Sequence, residues 1–388
     1  MHRTQKVYDF VFVLPGFDRK PPGGYMVVFE LAEDLQTNGY TVLIIFLRSL
    51  YTNLYRSTHD SNILEKHRSI GLMTIFFDRM TLFITQKNLC YFLSFMKKLG
   101  YDVNMSAFSF QKNSKFVVKD NIPDTIIIKR LIATAWETAY FVNEYRHDVL
   151  KYYLVQNNED DISFSGTLSY AATKTYSFPL KKIVINAITQ NRFASDKPIK
   201  ITVAPHVKAK LKVNPEDRSR CIAIQLRNGE DKGAKYGIEA MKIIHERHND
   251  IKIESYGNYS GEIPDFIVHH GFMPEAEYID LFNRSIIFIL PSLIEGFSAP
   301  VLESMICGCV PVVTDCEGPA EMIENKFNGI IVPIKSSEAI ADAVDYLLSN
   351  NQTRITMVYN AIAISKKFSR EGMYESFIKG VKNYESTL

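Results

Sequence analysis

A chain of 388 residues exceeds the roughly 250–300 that one hydrophobic core supports, so two domains of about 180–200 residues are expected. With 46% hydrophobic residues, 23% charged residues and a net charge of +2, the composition excludes disordered and collagen-like chains and argues against a broad nucleic-acid-binding face. No apolar run approaches the ~20 residues that span a bilayer, and Met1-His2-Arg3-Thr4-Gln5-Lys6 enters a strand-like run without a cleavage pattern; no leader and a cytoplasmic location are expected.

In chain order, residues 8–14 read as a buried strand, followed by a loop ending in Pro21-Pro22-Gly23-Gly24 and a helix over 25–38. Gly39 stands where a helix C-terminal cap belongs, and 40–46 is the second strand. Further strands are expected at 125–128, 150–155 and 182–186. The polar stretch 208–218 reads as a linker. A second series follows: strands at 221–226, 251–256, 266–269, 285–290, 310–314 and 329–332 alternate with helices at 234–247, 275–283 and 300–306. Helices at 337–349, 352–368 and 370–384 close the chain. Alternating β and α segments predict an α/β protein with two Rossmann-like, doubly wound domains facing a cleft.

The cysteines (Cys90, Cys221, Cys307, Cys309 and Cys316) show no CxxC or Cys/His spacing, so buried thiols are expected and zinc is not implied. Chemistry concentrates instead in Pro291-Ser292-Leu293-Ile294-Glu295-Gly296-Phe297-Ser298-Ala299-Pro300-Val301-Leu302-Glu303. A strand ends before it, a glycine loop follows, and Pro300 falls at or near the first helical position, where its missing N–H costs nothing. The first turn of that helix offers N–H groups and the positive end of its dipole to an anion. Glu295 and Glu303 would repel a bare phosphate. They suit a ligand carrying hydroxyl pairs on both sides of its phosphates, because a carboxylate accepts two hydroxyl hydrogens. A nucleotide sugar has that layout. Glu303 alone is equally a residue that complements the dipole.

Arg227-Asn228-Gly229-Glu230-Asp231-Lys232-Gly233 puts two cations beyond the carboxyl end of a strand, with glycines that allow close backbone approach. Taken alone, it is also compatible with a solvated surface turn. Gly23-Gly24 at the first strand–helix junction suits backbone approach to a phosphate or sugar, and a plain turn fits equally well.

Together these residues resemble the signature of the family 4, or group 1, retaining glycosyltransferases of the GT-B fold. The likeness continues through Gly308-Cys309-Val310-Pro311-Val312-Val313, Gly318-Pro319-Ala320-Glu321 and Asn328-Gly329-Ile330-Ile331-Val332-Pro333. Ala133-Thr134-Ala135-Trp136-Glu137-Thr138-Ala139-Tyr140 and Tyr153-Leu154-Val155-Gln156-Asn157 look like the subset of rhamnosyl- and polysaccharide-assembling members.

The resemblance implies an acceptor domain at 1–205, a donor domain at 206–368 and a closing helix, 369–388, packed back on the first domain. It implies that Arg227, Lys232 and Glu295 are catalytic. Gly23, Gly24, Gly296, Phe297, Ser298, Ala299, Pro300 and Glu303 would bind the donor, Glu303 holding the ribose diol and Glu295 the sugar hydroxyls. No cofactor or metal is implied; Glu159-Asp160-Asp161 reads as a solvated loop. Ser298 and Glu317 depart from the family's glycines, and the acceptor-side histidine of many members has no counterpart, His147 being out of register. A sugar-nucleotide epimerase, a phosphorylase and a non-catalytic binding module share the nucleotide features. The implied partners are a nucleotide sugar and a carbohydrate or lipid-linked glycan. Residues 69–100, aromatic and basic, suit either a peripheral membrane contact or ordinary core helices.

Overall fold

The structure, a computed structural model, describes residues 6–15, 23–47, 83–84, 115–118, 126–145, 148–157 and 167–388. The chain forms two compact units: Met1–Asp160, Phe164–Val184 and Arg192–Ile199 make the first, and Asp161–Ser163, Ile185–Asn191 and Lys200–Leu388 the second.

In the first unit, β1 (Lys6–Tyr8) and β2 (Phe10–Leu14) replace the single strand expected at 8–14. The break is at Asp9, whose carboxylate accepts bonds from the Thr41 N–H (2.8 Å), the Thr41 hydroxyl (2.7 Å) and Lys129 Nζ (2.8 Å). Helix α1 (Gly23–Thr37) leads to β3 (Val42–Phe46), then β4 (Phe83–Ile84), β5 (Lys115–Val118), β6 (Ile126–Ile128) and β7 (Arg130–Ala133). The remainder is α2 (Trp136–Glu144), β8 (Leu150–Val155), α3 (Thr167–Thr175), β9 (Lys181–Val184), α4 (Ala187–Arg192) and β10 (Ile199–Lys200), of which α4 falls in the second unit. The strands order as β10-β9-β8-β7-β2-β3-β5-β4, with the pairs from β5 to β9 parallel and β4 antiparallel to β5. β1 pairs with β6 separately. Strands β2 and β3 are buried throughout, as continuous apolar runs in a two-faced parallel sheet must be. Apart from β4, the aromatic, basic stretch 69–100 lies outside the described residues, as do His147, Cys90 and Glu159-Asp160-Asp161.

The second unit contains β11 (Cys221–Gln225), α5 (Ala234–Arg247), β12 (Lys252–Tyr256), β13 (Ile267–His269), α6 (Glu275–Arg284), β14 (Ile287–Leu290), α7 (Ala299–Ile306), β15 (Val310–Thr314) and β16 (Ile330–Val332). Helices α8 (Ser337–Ser349), α9 (Asn351–Ser365) and α10 (Arg370–Glu385) follow. All its strand pairs are parallel, in the order β13-β12-β11-β14-β15-β16. Numbered from β11 that is 3-2-1-4-5-6, the doubly wound order, whose reversal point falls between β11 and β14. The core gathers Ile222, Ile224, Ile287, Ile289, Val310 and Val312 from the central strands with Met241, Ile244, Val344 and Leu347 from helices.

The stretch 208–218 is not a free linker. The Lys208 N–H donates to Glu275 (3.0 Å), the Lys212 N–H to Asn283 (2.6 Å), and the Arg218 guanidinium to the Phe282 and Ser285 carbonyls (3.1 and 2.8 Å). The stretch is fastened along α6, from its first residue to its C-terminal cap. Cys221, Cys307, Cys309 and Cys316 are buried thiols, as expected. Burial pushes Cys221 up to about 11, Cys307 and Cys316 to about 12, and Cys309 further still. Among the described residues, no helix is long and apolar enough to cross a membrane.

Candidate active site

Ligands of doubly wound sheets bind beyond the carboxyl ends of the strands at the reversal point. In the second unit those ends are the loops after β11 and β14, which carry Arg227, Lys232 and Glu295. The two loops are sewn together. The Leu293 N–H donates to the Asp231 carbonyl at 2.7 Å, and Lys232 Nζ reaches the Ile294 carbonyl at 3.2 Å. Lys232 Nζ also lies 3.2 Å from Glu295 Oε1 and 3.2 Å from Asp231 Oδ2.

Glycine makes this approach possible. At Gly233 φ is +61°, and an added Cβ would lie 2.0 Å from the Pro291 carbonyl oxygen. A side chain there would push the loops apart.

Glu295 Oε1 also accepts the Ser292 hydroxyl at 2.8 Å, so its carboxylate is oriented by one neutral donor and one cation. Lys232 is shared between two carboxylates, whereas no ion pair engages Arg227 among the described residues. Arg227 is therefore the uncompensated positive charge of the site. Its loop is anchored through Asn228, whose Nδ2 donates to the Asn258 carbonyl at 2.6 Å and whose Oδ1 accepts the Ser260 N–H at 3.1 Å.

The Glu295-Gly296-Phe297 segment is held from two sides. The buried Asn186 donates its Nδ2 to the Gly296 carbonyl at 2.7 Å. Opposite, Gly318 is so close that a Cβ would stand 2.7 Å from both the Glu295 carbonyl oxygen and the Phe297 nitrogen. The glycine that matters in the Glu317-Gly318 pair is the second, so Glu317 leaves this contact intact. Phe297 is buried against Phe368, ring centroids 5.6 Å apart.

Ser298 adopts a left-handed conformation (φ 71°, ψ 74°), which explains why glycine suits the position and costs a serine about 1–2 kcal/mol. Its buried hydroxyl has no partner among the described residues. Ala299 opens α7 and Pro300 is its second residue, one place later than the ideal site for proline. The Val301 N–H is already bonded to the Ser298 carbonyl at 3.0 Å, so the anion donors of this turn reduce to the N–H groups of Ser298 and Ala299.

Glu303, one turn into α7, is buried and engaged on both oxygens. Oε1 accepts the His206 N–H at 2.9 Å and Oε2 the Tyr278 hydroxyl at 2.6 Å. Tyr256, at the end of β12, packs edge-on against Tyr278 with centroids 5.1 Å apart. Burial holds its phenol well above the ordinary tyrosine range, and Glu303, Arg227 and Glu295 all act on it electrostatically. The second-unit residues expected from the sequence thus converge on the ends of β11, β12 and β14.

Gly23 and Gly24 belong to the other unit and form the first turn of α1, not the preceding loop. Gly24 abuts Gln156, whose Oε1 would lie 3.0 Å from an added Cβ. Sequence reasoning missed Asn186, Tyr278, Tyr256 and the His206 backbone. Asn186 had one available signal: it follows a strand and accepts the Thr189 N–H at 2.7 Å, as a helix N-cap does.

The two doubly wound units define the GT-B fold class. Residues 208–363 match the family model "Glycosyl transferases group 1". A 152-residue stretch is 26% identical to N,N'-diacetylbacillosaminyl-diphospho-undecaprenol alpha-1,3-N-acetylgalactosaminyltransferase of Campylobacter jejuni, covering 38% of this chain and 40% of that one. The chain thus spans under half the length of that relative. The fold resembles sucrose-phosphate synthase from Thermosynechococcus elongatus (TM-score 0.65, 11% identity, 99% of this chain and 100% of that one). It also resembles Anabaena HepE, solved with UDP-glucose (TM-score 0.64, 14% identity, 97% and 100%).

Proposed function

We propose that the chain transfers a sugar from a nucleotide diphosphate to a hydroxyl of a glycan, glycolipid or polysaccharide, retaining anomeric configuration and needing no metal ion. The observation that carries this reading is the pairing of Lys232 with Glu295 across the β11 and β14 loops, beside the uncompensated Arg227. A departing diphosphate gains negative charge as the sugar bond breaks, and fixed positive groups aimed at that charge are the largest usual source of rate enhancement. Arg227 is placed to supply it at once. Lys232 supplies it by turning from Asp231 towards the phosphate while Glu295 takes the sugar hydroxyls. The N–H groups of Ser298 and Ala299 add neutral donors. With the leaving oxygen accepting the acceptor's proton on the same face, no protein nucleophile is required.

On this reading residues 1–205, with Gly23 and Gly24, receive the acceptor, the remainder holds the donor, and the protein works in the cytoplasm. The Campylobacter relative's name includes a diphospho-undecaprenol acceptor, which supports a lipid-linked glycan among the candidates. A thermal-shift screen of UDP-, GDP- and dTDP-sugars tests the donor, since a bound ligand stabilises by RT ln(1 + [L]/Kd). Product analysis of the stabilising donor, with and without a glycan acceptor and with EDTA, then tests the reaction. Donor conversion without acceptor would replace transfer by epimerisation; dependence on added metal would remove the metal-free mechanism.

A further inference from the structure

Tyr278 contacts Glu303 across two helices, and nothing in the reaction outlined above uses it. Its ring packs on Tyr256 and on Phe282, at centroid distances of 5.1 and 4.7 Å, so a phenylalanine would satisfy the packing equally well. The hydroxyl is the part that packing does not explain. It donates to Glu303 Oε2 at 2.6 Å, while the backbone N–H of His206 donates to the other oxygen at 2.9 Å.

A carboxylate can turn about its last bond, and one donor leaves that rotation soft. Two donors, one on each oxygen and from different elements, fix its plane. Each oxygen has two lone-pair sites, and with the plane fixed the directions from which a ligand hydroxyl can approach are set. Two fixed directions on one carboxylate match two adjacent hydroxyls, as on a ribose ring. Burial and the Glu303 charge both hold the phenol well above the ordinary tyrosine range, so Tyr278 remains a donor at every working pH.

We infer that Tyr278 is a positioning residue for the nucleotide ribose: its hydroxyl holds Glu303 in the orientation that accepts a vicinal diol. This rests on the reading of Glu303 as the ribose-binding carboxylate, and the test separates the two. Calorimetry on the full chain compares UDP and GDP, each against its 2′,3′-dideoxy form, for the wild type and Tyr278→Phe. The wild type should prefer the ribose form of the nucleotide it binds by about 10–100-fold, corresponding to about 1.4–2.7 kcal/mol. Tyr278→Phe should cut that preference about 10-fold, through weaker binding of the ribose form alone, with dideoxy affinity unchanged.

An undiminished preference in Tyr278→Phe overturns the inference and leaves Glu303 in place. Equal weakening of both forms also overturns it, since that marks a structural role. A wild type that does not distinguish the forms removes the ribose role of Glu303, and the inference with it.

Discussion

The parallel strands β5-β3-β2-β7-β8-β9 of the first unit repeat the order of the second unit's sheet, but the described ion pairs stand at opposite ends of the two sheets. In the first unit the ion pair that ties three strands together, Asp9 with Lys129 and with Thr41, sits at the amino ends of β2, β3 and β7. Among the described residues its carboxyl ends are joined by neutral groups, such as Thr134 donating to the Val13 carbonyl at 2.8 Å and Gln156 to the Thr134 carbonyl at 3.2 Å. In the second unit the Lys232–Glu295 pair and Arg227 occupy the carboxyl ends, where ligands of such sheets bind. The described ion pairs therefore fasten strands at the amino ends in one unit and gather at the carboxyl-end loops in the other. Substitutions should divide accordingly.

The largest effect is expected at Gly233. Gly233→Ala puts a methyl into the Pro291 carbonyl at a left-handed φ, and should cost about 3 kcal/mol or more in urea unfolding and abolish donor binding. A variant that binds donor normally would show that the loops do not need their present separation.

Next is Arg227→Ala, which should lower kcat/KM by about 10²–10³, or ~2.7–4 kcal/mol, with melting temperature unchanged. Near wild-type turnover on the true donor would move the decisive charge elsewhere.

Asn186→Asp is gentler and more selective. Aspartate still accepts the Thr189 N–H but cannot donate to the Gly296 carbonyl, so kcat/KM should fall about 10-fold while α4 remains capped. An unchanged rate would show that Gly318 and Phe297 hold the loop alone.

The smallest effect belongs to the first unit. Burial alone would raise the Asp9 carboxyl, but Lys129 and Thr41 outweigh it and bring it from an ordinary 3.8 to about 2. A depressed folded-state pKa contributes stability above the unfolded value and loses it as pH falls, here between about 4 and 2. Screened by solvent, the contribution should be about 1 kcal/mol, seen as an Asp9→Asn deficit in urea unfolding at pH 6 that closes towards pH 2. Donor turnover at pH 7 should not change. A deficit that persists at pH 2 would assign it to lost hydrogen bonds instead of charge.

What the sequence disclosed follows the same division. Strands 150–155 and 310–314 and helices 234–247 and 337–349 match the observed elements to the residue, because long apolar periodicities report burial directly. Arg227, Lys232, Glu295 and Glu303 were legible because close loop approach requires glycine and proline beside them. Tyr278 was not, since its partner is 25 residues away on another helix and no local spacing encodes that contact. Helix α4, at six residues, is too short to show a period. The break at Asp9 depends on Thr41 and Lys129, neither of them near in sequence.

Residues 185–191 join the second unit before the chain returns to the first. A C-terminal half grafted at residue 206 onto a foreign N-terminal half would arrive without Asn186, and without Lys200 and the Ala187 N–H, both of which bind Glu321. The natural cassette is discontinuous. Recombination, in the laboratory or in descent, keeps the Glu295-Gly296-Phe297 loop in shape only when that seven-residue inlay travels with it or is matched in the recipient.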